Sequence, residues 1–165
     1  MPQFASIRYE ASQGLARITL ARPAKRNAVT LQMFQELGDA TEAAGSDPEV
    51  RGVVVAAEGP SFCAGIDVAL LAELAPLAAR AAEDPDGFRA FVRLAQRPYL
   101  NLARMPKPTV AAVQGHALGA GFQLALACDL RVVTADATFG MLEARYGLIP
   151  DLGGMHHLTR LVWTT

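Results

Sequence analysis

Charge is missing from the centre of this chain of 165 residues: Thr109–Cys128 contains no Lys, Arg, Asp or Glu. Cysteine is nearly absent too. Cys63 and Cys128 are the only two, too few for a disulfide framework or a cysteine-rich metal site, and they suit a reducing cytosol. The formal net charge of −1 leaves no basic footprint for nucleic acid or an anionic membrane. His116, His156 and His157 show no ligand spacing with nearby Asp or Cys, so no metal is expected. The opening MPQFASIRYE lacks an apolar core of the signal-peptide kind. A cytoplasmic protein is the expectation. The charge-free run is long enough to suggest a membrane span. Gln114, His116, Gln123 and three glycines point instead to a buried strand followed by a buried helix.

What is present is a core. The chain is 52% apolar and 19% charged, enough to build one globular domain over residues 1–165. Ile7–Glu10 and Leu15–Leu20 read as strands of a hairpin around Ser-Gln-Gly. Thr30 is placed to cap a helix over Leu31–Ala44, with Met33, Phe34, Leu37 and Ala40 on one face. GVVVAA (Gly52–Ala57) has the continuous β-branched character of a strand buried on both faces. Helices are predicted over Val68–Glu83 and Phe88–Met105, separated by Asp84-Pro85-Asp86-Gly87. A strand at Thr109–Val113, a helix at Gly119–Cys128, a strand at Leu130–Thr134, a loop at Gly147–Gly154 and a helix from about Met155 complete the pattern. Strands alternating with helices indicate an α/β fold with crossover connections.

Two loops share one character. SFCAGID (Ser61–Asp67) and HALGAGFQ (His116–Gln123) each follow a buried strand and carry glycine beside small residues. Such loops let backbone N–H groups converge on one oxygen and stabilise an enolate or tetrahedral oxyanion; they also serve simply as tight turns. RPAKRNA (Arg22–Ala28) is a basic loop, a solvated surface or a phosphate contact. Cys63 has no evident activating base.

AEGPSFCAGID, PTVAAVQGHALGAGFQLALACD and TFGMLEARYGLIPDLGG, in this order and spacing, resemble the crotonase superfamily, the enoyl-CoA hydratase/isomerase family. The resemblance spans almost the whole chain. It implies a crotonase-like spiral of ββα units without the helices with which relatives usually continue beyond LTRLVWTT, helices that support trimers or hexamers. It implies a coenzyme A thioester as substrate and no separate cofactor. Ile66 and Ala120 would supply the two oxyanion N–H groups. Lys25 and Arg26 would meet the phosphate end of coenzyme A, with Ala24, Ala28 and Ala64 contributing backbone, and Asp67, Gly119 and Pro150 flanking the ligand.

Family hydratases place two glutamates twenty residues apart, the first three residues after the second oxyanion donor. Gln123 and Glu143 occupy those positions here. Glutamine cannot exchange a proton near neutral pH, although it can hydrogen-bond a water. One acid suffices to move a proton between carbons, so the pattern favours a double-bond isomerase with Glu143 as base and acid. Asp151 matches an acid of dienoyl-CoA isomerases, which also carry aspartate where Gln123 stands; it equally suits a helix cap. A non-catalytic acyl-CoA binder remains a second reading. RNA binding, known in some relatives, lacks a Lys-rich helix here. ClpP-type peptidase chemistry lacks its serine, because Phe122 and Gln123 begin the corresponding helix.

Overall fold

A computed structural model describes residues 4–162. Its centre is a five-stranded sheet in the order β1 (Ile7–Ser12), β2 (Leu15–Leu20), β3 (Gly52–Ala57), β4 (Thr109–Val113) and β6 (Leu130–Val133). β1 and β2 form an antiparallel hairpin whose turn residues Gln13 and Gly14 have φ of 51° and 81°. Two successive positive φ values match the twist of the flanking strands. The remaining pairs are parallel: β2 with β3, β3 with β4, and β4 with β6.

A second sheet holds two short parallel strands, β5 (His116–Leu118) and β7 (Thr138–Gly140). This corrects the expectation that HALGAGFQ runs directly from glycine turn to helix. β5 turns the chain out of the main sheet before α4 (Ala120–Ala127) begins.

α1 (Leu31–Ser46) starts where Thr30 Oγ1 accepts the Met33 N–H at 3.2 Å. It buries Met33, Phe34, Leu37, Ala40 and Ala44 and packs on α3 (Pro85–Ala103). The predicted break at Asp84–Gly87 is in fact the start of α3. Asp84 Oδ1 accepts the Gly87 N–H at 2.9 Å, with Pro85 in the first turn, where its missing N–H costs nothing. α2 (Val68–Ala79) is shorter than predicted and ends in a turn. The chain closes with a 3₁₀ segment, Leu142–Tyr146, and α5 (Gly154–Leu161). No described helix is long and apolar enough to cross a membrane; the charge-free run is β4, β5 and α4.

Candidate active site

Three loops are stitched together by backbone bonds. Val29 N–H donates to Gly65 O at 2.8 Å, Asp67 N–H to Val29 O at 2.9 Å and Ala64 N–H to Arg26 O at 2.9 Å. These join RPAKRNA to SFCAGID. Cys63 N–H donates to His116 O and Leu118 N–H to Cys63 O, both at 2.9 Å, joining SFCAGID to β5. Gly121 explains why this approach is possible. A Cβ there would lie 2.5 Å from Cys63 Cβ and 2.7 Å from its carbonyl oxygen, so any side chain would push the loop off the first turn of α4.

Asn27 secures the same junction from inside. It is fully buried with φ of 55°. Its Oδ1 accepts the Arg22 N–H at 2.8 Å, and its Nδ2 donates to Glu58 O at 2.8 Å and Ser61 O at 2.9 Å. Sequence reading passed over this residue, although an asparagine in a turn is among the few side chains at ease in the left-handed region. Arg22 also escaped notice: Nη1 and Nη2 each donate to Asp67 Oδ2 at 3.1 Å. Asp67 caps α2 through Oδ1, which accepts the Ala69 N–H at 3.1 Å. That bond, ahead of the opposing effect of partial burial and then the Arg22 contact, holds the Asp67 carboxyl below its ordinary range. Both its oxygens are thus engaged by the protein.

At this junction N–H groups stay free, among them those of Gly121 and Phe122 in the first turn of α4. Neither Ile66 N–H nor Ala120 N–H has an acceptor among the described residues. In its bridge to Val29, Ile66 is flanked by the groups that bond, so its own N–H turns the other way. Ala120 is the first residue of α4, where helical geometry provides no acceptor. The N–H before it, on Gly119, is taken by Gly140 O at 2.8 Å. Tyr99, buried against Phe34, donates its hydroxyl to Ala120 O at 3.3 Å; no sequence signal pointed to it.

Glu143 comes to this place from the 3₁₀ segment. A Cβ at Gly119 would lie 3.3 Å from Glu143 Oε1, so glycine there keeps the carboxylate close to the start of α4. Gln123, 1% exposed, donates Nε2–H to Glu143 Oε1 at 2.7 Å. Its Oε1 accepts the Leu152 N–H at 3.0 Å and the Gly154 N–H at 2.9 Å. These two donors fix which end of the amide faces Glu143. They also occupy its acceptor twice, so that towards a water Gln123 can offer only its second Nε2–H. Glu143 Oε2 is buried with no hydrogen-bond partner among the described residues.

Asp151 is not the cap of α5. Gly153 holds that position without a side-chain bond. Asp151 instead lies at the rim of the cavity described next, its backbone oxygen accepting Gln96 Nε2–H at 2.7 Å. Local burial raises its carboxyl above the ordinary range. Cys63 is buried, which pushes its thiol up to about 12, consistent with a packing role. His116 is exposed, with Nδ1 3.2 Å from Ser61 Oγ.

Ile66, Gln123, Glu143 and Asp151 line one cavity of about 420 Å³ that extends between α2 and α3. Its helical wall runs from Leu70 to Ala78 on α2 and from Phe88 to Ala95 on α3. Ala24, Lys25 and Arg26 are exposed on the neighbouring loop, and Ala28, Ala64 and Pro150 are half-buried; none of these six lines the cavity. A polar depression of about 470 Å³ around Gly14 and Arg51 contains none of the candidate residues.

The family model for enoyl-CoA hydratase/isomerase matches residues 10–164. The chain belongs to this family. The crotonyl-CoA hydratase of Syntrophomonas wolfei is 35% identical over 160 residues, 96% of this chain and 58% of that protein. The mouse mitochondrial methylglutaconyl-CoA hydratase is 34% identical, over 93% of this chain and 46% of the relative. A Thermobifida fusca chain assigned as an enoyl-CoA hydratase, in complex with acetoacetyl-CoA, superposes with a TM-score of 0.83 at 38% identity, covering 96% of this chain and 62% of that one. The fold is therefore crotonase-like. The chain spans less than two thirds of the length of these family members.

Proposed function

We propose that this chain carries the acyl-CoA site of a double-bond isomerase in which Glu143 moves a proton between two carbons of an enoyl thioester. One observation carries the reading. Glu143 has one oxygen held by Gln123 and the other buried and unengaged, at the start of the helix whose first N–H is free. Oε2 takes a proton from the carbon beside the thioester carbonyl. The electron pair moves onto the carbonyl oxygen, where the Ile66 and Ala120 N–H groups stabilise it, typically by a few kcal/mol per donor. Return of the proton to the far carbon of the allylic system shifts the double bond, with no atom gained or lost. Lys25 and Arg26 meet the coenzyme A phosphates, and the exposed position of both supports this. In the whole protein this site belongs to a trimer or hexamer.

Hydration is the second reading, favoured by the relatives, which are named as hydratases. With the Gln123 acceptor occupied, Gln123 would hold the water only as a donor, and Glu143 and Asp151 would have to activate it. Incubation with trans-3- and trans-2-enoyl-CoA in deuterated water, followed by mass spectrometry, separates the two. Deuteron uptake with a shifted double bond is expected. Formation of 3-hydroxyacyl-CoA as the dominant product supports hydration, and absence of both reactions removes the catalytic reading.

A further inference from the structure

Two chains of amides converge on Gln123. One belongs to the start of α5. His157 N–H donates to Gly153 O at 3.1 Å, and the same peptide group donates its Gly154 N–H to Gln123 Oε1 at 2.9 Å. The other begins on α3. Gln96 Nε2–H donates to Asp151 O at 2.7 Å. That oxygen and the Leu152 N–H belong to one peptide group, and the N–H donates to Gln123 Oε1 at 3.0 Å. Gln123 in turn donates Nε2–H to Glu143 Oε1 at 2.7 Å. Each member accepts at its oxygen and donates at its nitrogen, so every dipole in the series points toward the carboxylate. Amides bonded in series polarise one another, by roughly 10–30% per bond.

The α5 branch is backbone throughout, whereas the α3 branch starts from a side chain. Ala95 and Tyr99 are buried on α3, which fixes the helix on either side of Gln96. Gln96 itself is half-buried and lies outside the cavity lining. It therefore reaches Glu143 only through the amides between them.

We infer that Gln96 is a positioning residue for Glu143. By donating to Asp151 O it holds the Leu152 N–H on Gln123, and it strengthens, through two amides, the donor that Gln123 gives the Glu143 carboxylate. Its value for catalysis rests on the reading of Glu143 as base; the hydrogen-bonded series does not.

Gln96→Met keeps the length of the side chain and removes the donor. Carbon-13 NMR of the Glu143 side-chain carboxyl, its signal identified by its loss in Glu143→Gln, follows the titration without any turnover. The other titratable groups on the surrounding elements, Tyr99, His116, Arg145, Tyr146, Asp151 and His157, are the same in both proteins. Weakening the bond to the ionised form should make the Glu143 carboxyl titrate about 0.3 pH unit higher in Gln96→Met than in the wild type. The Leu152 amide proton should move upfield in the same variant. Gln96→Lys keeps a donor for Asp151 O and should titrate no higher than the wild type. Coincident curves for Gln96→Met and the wild type, or an upward shift that Gln96→Lys shares, overturn the inference. Deuterium uptake into an enoyl-CoA, measured on the same samples, separates the two claims. No uptake by the wild type, with the carboxyl titration still moved by Gln96→Met, removes the base reading and leaves the positioning of Glu143 by Gln96 standing.

Discussion

Gln123 and Glu143 differ by one functional group, and that difference decides what the pair can do. Gln123→Glu keeps an oxygen for the Leu152 and Gly154 N–H groups but sets a second carboxyl 2.7 Å from Glu143 Oε1. Two carboxylates that close share a proton. The pH–rate profile of deuterium exchange should therefore rise at higher pH in this variant than in the wild type; superimposable profiles would refute the role given to the amide. Glu143→Gln should slow exchange by roughly 10²–10⁴-fold, the usual worth of a positioned acid–base group, with thioester binding retained in calorimetry. Asp151 is expected to act on stability. Its folded-state carboxyl titrates above its unfolded value, so the native state binds more protons between the two values. Stability falls as pH rises through that window. Asp151→Asn should raise Tm at neutral pH, and the gain should vanish below the ordinary aspartate range.

Elements that depend on hydrophobic pattern were legible in the sequence. β3 and β4 begin and end where the apolar runs do, because neither strand has an exposed face to fill with polar residues, and β2 is marked by its alternation of exposed and buried residues. β5 and β7 were not legible. Each is three residues long, too short to show an alternation, and they exist because the loop around Cys63 and the turn at Gly119 hold them together. The contacts of Gln123 were hidden for a related reason. Its backbone donors lie 29 and 31 residues away, and nothing local marks them. The candidate residues themselves were legible as a set, since the loops that carry Ile66 and Ala120 do meet. Asn27 joins these elements from below. Asn27→Ala leaves three backbone groups without their partners, one buried and two partly buried, and should cost about 2 kcal/mol in denaturant unfolding while also weakening thioester binding. Loss of stability with unchanged binding would separate the clamp from the site.

Across the whole molecule, burial is uneven. The β1 side of the sheet is covered by α1, whereas β6 at the far edge exposes Leu130 and Val132 by 60% and 66%. Ile149, Leu161 and Val162 are exposed as well. An open edge strand with apolar side chains is a template for association. Sedimentation of this chain should show mass rising with concentration, and Val132→Lys should reduce it. Glu143, by contrast, is tied through Gln123 to the turn that begins α5. If Leu152 and Gly154 withdraw, the amide loses the two donors that orient it and can make a half-turn. An oxygen would then face Glu143 where a hydrogen had been, and attraction would become repulsion. The closing helix thereby holds the polarity of the pair, and a shift of its first turn is enough to disarm the base from a distance.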